Sequence, residues 1–348
     1  VCSIISGYYL QIALLKLLSF WVGLTAILGG VMVLRARKAD LTEWFIGLAY
    51  AVGFNGLLAL ALGAGYGFRT VTAKAGGTLF FQGPYYHPNT CGPMTAMFIV
   101  LVTCTWLFGN YRHRWLCLPL LPLFFAFIWM SRSRTGLVTI ILGLGLIFLL
   151  TGLAAVGRRY RLRLNMSRTT IVALAAAVAL AVFMIDLGTG GQITSSVFTF
   201  ITKYDTKAVT LETESLLATR QGLITRSWQN FLERPLTGLG FEVSTDEYFI
   251  KNATLFSAPI EKGFLPTAIL EEVGILGTIP FVLFLVAVIA SLLKTNNAPG
   301  LAMFLTYLIT NLGEVSIFAM GGTGALSWLL VGAGALLGDH CLIDPAPA

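Results

Sequence analysis

Charged residues are scarce in this chain of 348 residues, because Asp, Glu, Lys and Arg make up only 11% of it while hydrophobic residues make up 56%. A soluble domain carries about 25% charged residues, so the sequence lacks the polar surface that a water-soluble fold needs. Disorder is excluded as well, since disordered chains are poor in apolar residues. The sequence therefore predicts a polytopic membrane protein.

Cysteine and histidine are also few, with five and three residues. The cysteines are scattered and lack the spacing of a zinc site or a disulfide framework. No His, Cys or Asp cluster has metal-ligand spacing, and there is neither a P-loop nor a dinucleotide-binding glycine motif. We therefore expect no metal and no other cofactor. Because the chain begins with Val1, we also expect that an N-terminal piece is missing.

Long apolar runs are abundant, and a spanning helix needs about 20 such residues. We predict an all-α, polytopic transmembrane helix bundle that forms one integral-membrane domain over residues 1–348. The last two of its nine spans could form a re-entrant hairpin, and the embedded part of the seventh is expected at Ile275–Leu293. The nine candidates are Ile12–Leu34, Trp44–Leu62, Cys91–Phe108, Trp115–Met130, Gly136–Leu153, Thr170–Leu187, Phe264–Leu293, Pro299–Phe318 and Thr323–Leu337.

Basic residues in the short loops follow the odd-numbered spans, as at 35–38, 112–114, 158–168 and Lys294. The positive-inside rule places these loops in the cytoplasm and the even-numbered loops outside. The net charge of +7 therefore reports topology, and we expect no nucleic-acid partner. The loop at 188–263 becomes an external subdomain, with a helical stretch at Leu211–Leu232 that stops before Pro235.

Two arginines interrupt the apolar sequence at the outer end of the fourth span. Arg132 and Arg134 stand in the short stretch SRSRTG, so both must lie at the membrane edge. One reading is that they snorkel to lipid phosphates. The other is an anion site, because a guanidinium matches phosphate oxygens bidentately and the start of the next helix favours anions.

Arg220 is a third candidate for anion binding. At about 100° per residue it falls in the middle of the apolar face of the external helix, whereas Arg226 falls on the opposite side. A guanidinium on a packed face needs an anionic partner. That partner is either an acidic residue of the same loop, in a structural salt bridge, or the anion that faces Arg132 and Arg134.

The segment GPYYHPN before the third span carries four further candidates. Tyr85 and Tyr86 could be ordinary interfacial aromatics or could stack on sugar rings. His87 and Asn89 could cap and fix the loop or contact a substrate. The spacing alone leaves these alternatives open.

Acidic residues flank the start of the seventh span. Glu261 closes the external loop next to Lys262, and Glu271 and Glu272 enter the outer part of the span, with Glu314 in the eighth span as a similar case. One alternative is an ion pair within the protein, with Lys262 or with an arginine. The other is a partly buried carboxylate with a raised pKa that accepts a proton.

The stretches HPN, SRSRTG, TRQGLITRSWQNFLERPLTGLGF and EKGFLPTAILEEVGILG occur in this order over about residues 80–340. In motif order and loop topology the chain resembles the O-antigen ligase and Wzy polymerase superfamily of bacterial inner-membrane glycosyltransferases. The resemblance implies metal-independent, inverting transfer of a glycan from undecaprenyl pyrophosphate on the periplasmic side. It implies that Arg134 and Arg220, together with Arg132, hold the pyrophosphate.

The resemblance also implies partners and bases. The partners would be the lipid-linked oligosaccharide donor, a glycan acceptor, membrane lipid, and a chain-length regulator or flippase. Ligases of this family usually carry a catalytic histidine near the end of the long loop, where this chain has Glu261 and Lys262. This departure favours a polysaccharide polymerase, with Glu261, Glu272 or His87 as the base and Tyr85, Tyr86, Asn89 and Lys262 as glycan contacts.

A transporter or flippase for an anionic or lipid-linked solute is the alternative from another class. It would use the same arginines for binding. Such proteins usually show inverted repeats and helices broken near the bilayer midplane. The sequence indicates neither, and its unusual charges cluster at the outer surface.

Overall fold

The computed structural model describes residues 10–37, 40–71, 78–85, 87–109, 113–156, 218–243, 262–320 and 322–340. This part of the chain is mainly helical, as predicted. Its helices are α1 (Leu10–Ala36), α2 (Thr42–Leu62), α3 (Pro88–Phe108), α4 (Leu120–Ser131), α5 (Arg134–Val156), α6 (Ala218–Glu233), α7 (Leu265–Lys294), α8 (Ala298–Asn311) and α9 (Thr323–His340).

Five helical segments in the described residues are long and apolar enough to cross a membrane. Arg114–Ser131, which combines a short 3₁₀ turn at Arg114–Cys117 with α4, is one of them. The apolar parts of α5 and α9 are shorter, and the predicted span at Thr170–Leu187 lies outside the described residues. Membrane-spanning character is thus supported, and the count of nine spans is not confirmed. The five segments are Ala13–Ala36, Thr42–Leu62, Pro88–Phe108, Arg114–Ser131 and Leu265–Lys294.

The eighth predicted span is too long. Helix α8 ends at Asn311, seven residues before the predicted end, because the buried side chain of Asn311 turns the backbone. Its Oδ1 accepts hydrogen bonds from the backbone N–H groups of Ser316 (2.7 Å) and Ile317 (2.9 Å). Glu314, predicted within a span, therefore lies in the connection between α8 and α9.

Helix α3 forms the centre of the bundle, and every residue from Cys91 to Phe108 is buried. It packs against α4, α5, α8 and α9. Close approach to α5 requires glycine at two positions, since a Cβ atom on Gly136 would lie 2.7 Å from the backbone carbon of Gly92. The continuous apolar run of α3 is therefore explained by burial on all sides.

A two-stranded antiparallel hairpin, β1 (Phe68–Val71) and β2 (Thr78–Phe81), follows α2. The all-α prediction missed it, because four-residue strands leave almost no periodic signal. The ring of Phe81 is fully buried and lies 5.2 Å from the ring of Phe127 near the end of α4. The hairpin is thereby fixed to the end of the bundle that carries the unusual arginines.

Candidate functional site

Three sequence motifs meet at one end of the bundle. A Cβ atom on Gly92, near the start of α3, would lie 2.1 Å from Cβ of Ser133, between α4 and α5. One on Gly313, in the α8–α9 connection, would lie 2.5 Å from Cγ2 of Thr135. The first turn of α3, directly after HPN, and the α8–α9 connection therefore both contact the SRSRTG segment.

The segment that follows α6 reaches the same place. The ring of Phe241 lies 5.0 Å from the ring of Phe318 in the α8–α9 connection. Phe20 of α1 contacts both rings, at 5.6 Å and 5.7 Å. The α8–α9 connection thus links the SRSRTG segment to the residues that follow α6.

Arg132 and Arg134 have different positions at this end. Arg132 ends α4 in the left-handed conformation (φ 48°), and its guanidinium carbon lies 5.6 Å from the ring centre of Phe80 in a cation–π contact. Arg134 is the first residue of α5, where the helix dipole favours anions. Ser133 caps this helix, because its Oγ accepts a hydrogen bond from the N–H of Gly136 at 3.2 Å.

The backbone of Arg220 belongs to α6, but its side chain is outside the described part of the structure. Glu261 and Tyr86 lie outside the described residues altogether. Convergence of Arg220 with Arg134 and the roles given to Glu261 and Tyr86 stay predictions. The predicted helix at Leu211–Leu232 is described from Ala218 and ends at Glu233, before Pro235 as expected.

The candidates before α3 have structural roles in this arrangement. His87 caps α3, with its Nδ1 accepting a hydrogen bond from the N–H of Asn89 at 3.1 Å. Tyr85 packs against the hydrophobic core, and burial raises the pKa of its hydroxyl above the ordinary value. These positions agree with the loop-fixing alternative, and glycan contacts by Tyr85 and Asn89 stay predictions.

The glycine-rich turn Pro235–Gly240 docks into a break in α7. The break is at Gly274, whose φ of 60° and ψ of −170° interrupt the helix. A Cβ atom on Gly238 (φ 68°) or on Gly274 would overlap the backbone of the other segment, so both positions need glycine. Four backbone hydrogen bonds of 2.8–3.1 Å join the segments: Leu239 N–H to Glu271 O, Gly240 N–H to Glu272 O, Ile275 N–H to Pro235 O and Leu276 N–H to Leu236 O.

Buried charges surround this docked turn. The Nζ atom of Lys262 lies 3.1 Å from Oε1 of Glu272 and 3.3 Å from Oε2 of Glu271, and it donates to the carbonyl of Val243 at 2.8 Å. The amide of Asn230 in α6 donates to Oε1 of Glu271 at 2.7 Å. The ion pair with Lys262, one of the alternatives from the sequence, is therefore present.

A second lysine extends the cluster. Glu242 forms an ion pair with Lys16 of α1 at 3.0 Å, and its N–H donates to Oε2 of Glu272 at 3.0 Å. Burial raises the pKa of the Glu242 carboxyl to about 7, opposed by the positive charge of Lys16. Burial alone would lower the pKa of Lys262, but attraction to Glu272 and Glu271 raises it above the ordinary value.

Sequence reasoning missed Lys16, Asn230 and Glu242 as members of this cluster. Lys16 carried a usable signal, because a lysine inside the first apolar run is costly unless it is paired. Asn230 and Glu242 stand among the polar residues of the external loop, where nothing in the local pattern distinguishes a buried side chain from an exposed one.

Comparison with protein-family models and with curated protein sequences finds no match for this chain. Among the described residues, no group of three or more His, Cys, Asp or Glu side chains is arranged to hold a metal ion. The functional assignment therefore depends on the motifs and on the geometry above.

Proposed function

We propose that this chain is a membrane glycosyltransferase, similar to O-antigen polymerases and ligases. It transfers a glycan from undecaprenyl pyrophosphate to an acceptor sugar hydroxyl at the outer face of the bacterial inner membrane, with inversion and without a metal. One observation carries the proposal: motifs that are far apart in sequence are gathered around the α8–α9 connection at one end of an apolar bundle. Such gathering is what a shared substrate site requires.

The leaving pyrophosphate is assigned to Arg134, Arg220 and Arg132. Charge builds on its oxygens as the bond to the anomeric carbon breaks. A preorganised donor in a water-poor site stabilises such charge, and loss of one donor costs about 2.7–4 kcal/mol of transition-state stabilisation. Arg134 is best placed in the described structure, because it begins α5 beside the buried hydroxyls of Ser131 and Ser133.

The acceptor hydroxyl needs a base, for which Glu261, Glu272 and His87 are the candidates. Both carboxylate oxygens of Glu272 are engaged, Oε1 by Lys262 and Oε2 by the N–H of Glu242. Each oxygen keeps a second lone pair for a proton, but the positive charge of Lys262 opposes protonation of Glu272. A base at His87 would use Nε2, because Nδ1 caps α3.

The opposite end of the bundle carries basic residues at helix ends. Arg35 is in the last turn of α1 and Arg37 follows it, Arg114 precedes α4, and Lys294 ends α7. This is the end where Asn297 joins α8 to α9 by donating to the carbonyl of Ala335. The positive-inside rule supports a cytoplasmic position for it, which places the gathered motifs outside.

One structural feature favours the alternative of a transporter or flippase. The sequence indicated no broken helix, and α7 is broken at Gly274. Discontinuous helices of carriers lie near the bilayer midplane. This break lies in the first third of α7, immediately before the apolar run that begins at Ile275, so its position agrees better with an enzyme site at the membrane surface.

Turnover in detergent micelles tests the proposal. Purified protein is given a labelled, undecaprenyl-pyrophosphate-linked oligosaccharide and an acceptor glycan, and the products are separated by size. An enzyme makes longer glycan without a membrane or a gradient. A carrier leaves the donor unchanged in micelles but moves it across the bilayer of liposomes, and that result would reject the enzyme assignment.

The same assay tests the arginines. Arg134→Ala and Arg220→Ala are each expected to abolish product formation at normal protein levels, because each removes a donor to the leaving group. Arg226→Ala, on the exposed side of α6, is the matched control and should have a mild effect. Wild-type product from both R134A and R220A would discard the pyrophosphate assignment.

A further inference from the structure

Helix α6 has an exposed apolar strip beside its buried face. Asn230 and Phe231 are buried against α7 and the core, whereas Trp228 and Leu232, one turn apart, are 46% and 59% exposed. Leu236, in the turn that follows, is 60% exposed. Three large apolar side chains are therefore presented together on one side of the helix.

The remaining exposed side chains of α6 are polar. Gln229 and Glu233 are exposed, and at about 100° per residue they lie about 60° and 100° beyond Leu232 around the helix, on the side away from Phe231. Thr225 is also exposed and lies at the border of the apolar strip, about 20° from Leu232. The surface of the helix thus has three sectors. One is buried against the protein, one carries exposed apolar side chains, and one carries exposed polar side chains. A helix at a membrane surface has this division, because protein, lipid and water each cover one sector.

The apolar strip is continuous with the outer surface of α7. The hydrogen bond from the N–H of Leu276 to the carbonyl of Leu236, at 3.1 Å, holds the two residues side by side. Leu276 begins a row of exposed apolar side chains that runs along the candidate span: Leu276, Ile279, Leu283 and Val286. Whatever solvent covers this row on α7 also reaches Leu236 and α6.

We infer that α6 and the turn after it lie on the lipid bilayer, with Trp228, Leu232 and Leu236 inserted among the lipid headgroups. Because α6 docks at the break in the candidate span α7, its depth is that of the headgroup region. Tryptophan is enriched at this interface. The strip continues into the exposed apolar row of α7, a candidate span, so the lipid that covers α7 is the occupant that also covers the strip. The inference holds for an enzyme and for a carrier alike, and it goes beyond the proposed reaction.

Fluorescence quenching at single cysteines tests this placement. Cys2 and Cys341 are replaced by serine, while Cys91, Cys104 and Cys117 are buried and can remain. W228C and L232C report on the apolar strip, and Q229C and E233C on the polar side of the same helix. Each variant is labelled with an environment-sensitive dye and reconstituted into vesicles of phosphatidylcholine and phosphatidylglycerol.

Dye at 228 and 232 is expected to be quenched several-fold more by lipid with a nitroxide near the headgroup than dye at 229 and 233. Aqueous iodide should show the reverse order. Equal iodide quenching at all four positions would overturn the inference, and so would protection of 228 and 232 from both quenchers, which would indicate a covering protein surface. If W228C and L232C give the same quenching pattern, that pattern does not arise from misfolding caused by one of the two substitutions.

Discussion

Two lysines and three glutamates form one buried cluster at the site, and their pairing decides what each residue can do. Lys262 lies between Glu271 and Glu272 and pairs with both, while Lys16 pairs with Glu242. Burial of an ion pair contributes little net stability, but removal of one partner leaves an uncompensated charge. The cluster is therefore sensitive to single substitutions.

Lys262→Met is expected to destabilise the protein by about 3–5 kcal/mol, because Glu271 and Glu272 lose their counter-ion. Thermal unfolding in detergent measures the effect. The exposed Lys294 at the other end of α7 provides the control, and K294M should leave the midpoint almost unchanged. The double variant K262M/E272Q should recover part of the loss, and an unchanged midpoint in K262M would contradict the ion-pair assignment.

Stability should also depend on the protonation of Glu242. Its pKa is raised from 4.5 to about 7 by burial, so the folded protein binds this proton more tightly than the unfolded chain. The stabilisation is fully present below pH 4.5 and is lost as the pH rises towards 7, at no more than ~1.4 kcal/mol per pH unit.

Unfolding midpoints between pH 4.5 and 7.5 should therefore fall less steeply in Glu242→Gln than in the wild type. Glu233→Gln removes an exposed carboxylate from the end of α6 and should leave the profile as it is. Identical slopes in E242Q and the wild type would show that Glu242 does not titrate in this range.

Among the helices and strands, the break in α7 at Gly274 decides how the turn after α6 is attached. A continuous helix would leave no unpaired backbone groups for the turn Pro235–Gly240, whereas the break at Gly274 exposes groups that the turn satisfies. The segment α6 to Val243 is thus attached to α7 through main-chain hydrogen bonds as well as through ion pairs. This attachment sets the position of α6, and hence of Arg220, relative to α7.

Gly238→Ala and Gly274→Ala should each destabilise this attachment by at least about 1–3 kcal/mol, because each residue has a positive φ and no room for a Cβ atom. Gly222→Ala in α6 is the matched control, since nothing lies within 4 Å of its Cβ position and alanine favours the helix. Limited proteolysis of the external loop in detergent measures the difference. Equal cleavage rates in all three variants and the wild type would show that the turn does not depend on these glycines.

The whole molecule is polarised between its two ends. The motifs, the buried ion cluster and the hairpin lie at one end, and the basic helix ends lie at the other. Short basic loops resist translocation, so this distribution predicts that the motif end faces outside. The apolar flanks of α1, α2 and α7 between the two ends are exposed, as expected for surfaces in contact with lipid.

Cysteine accessibility in bacterial spheroplasts tests this orientation, in a protein whose Cys2 and Cys341 are replaced by serine. A membrane-impermeant maleimide should label P84C, next to the hairpin, in intact spheroplasts, and should label T295C, at the end of α7, only after lysis. Both wild-type residues are exposed, so access depends on the membrane alone. Labelling in the opposite order would invert the topology and remove the outer-face site.

Several features could be predicted from sequence because they depend on local composition. Apolar runs separated by short basic loops indicate membrane helices whatever their packing, and the stop of α6 before Pro235 follows from the missing N–H of proline. The apolar run expected from Ile275 begins where the structure breaks α7. The predicted end of the eighth span was wrong, because the side chain of Asn311 ends α8 by hydrogen bonding to backbone N–H groups five and six residues later.

The sequence by itself determined an apolar, helical chain with unusual charges near one set of helix ends, since burial in lipid requires long apolar runs and makes every charge conspicuous. Only the tertiary structure decided which of those charges meet. Lys16 and Glu242 are far apart along the chain, and their contact arises from the packing of α1 against the docked turn. Such pairings depend on three-dimensional packing, and a single sequence carries no local pattern from which to read them.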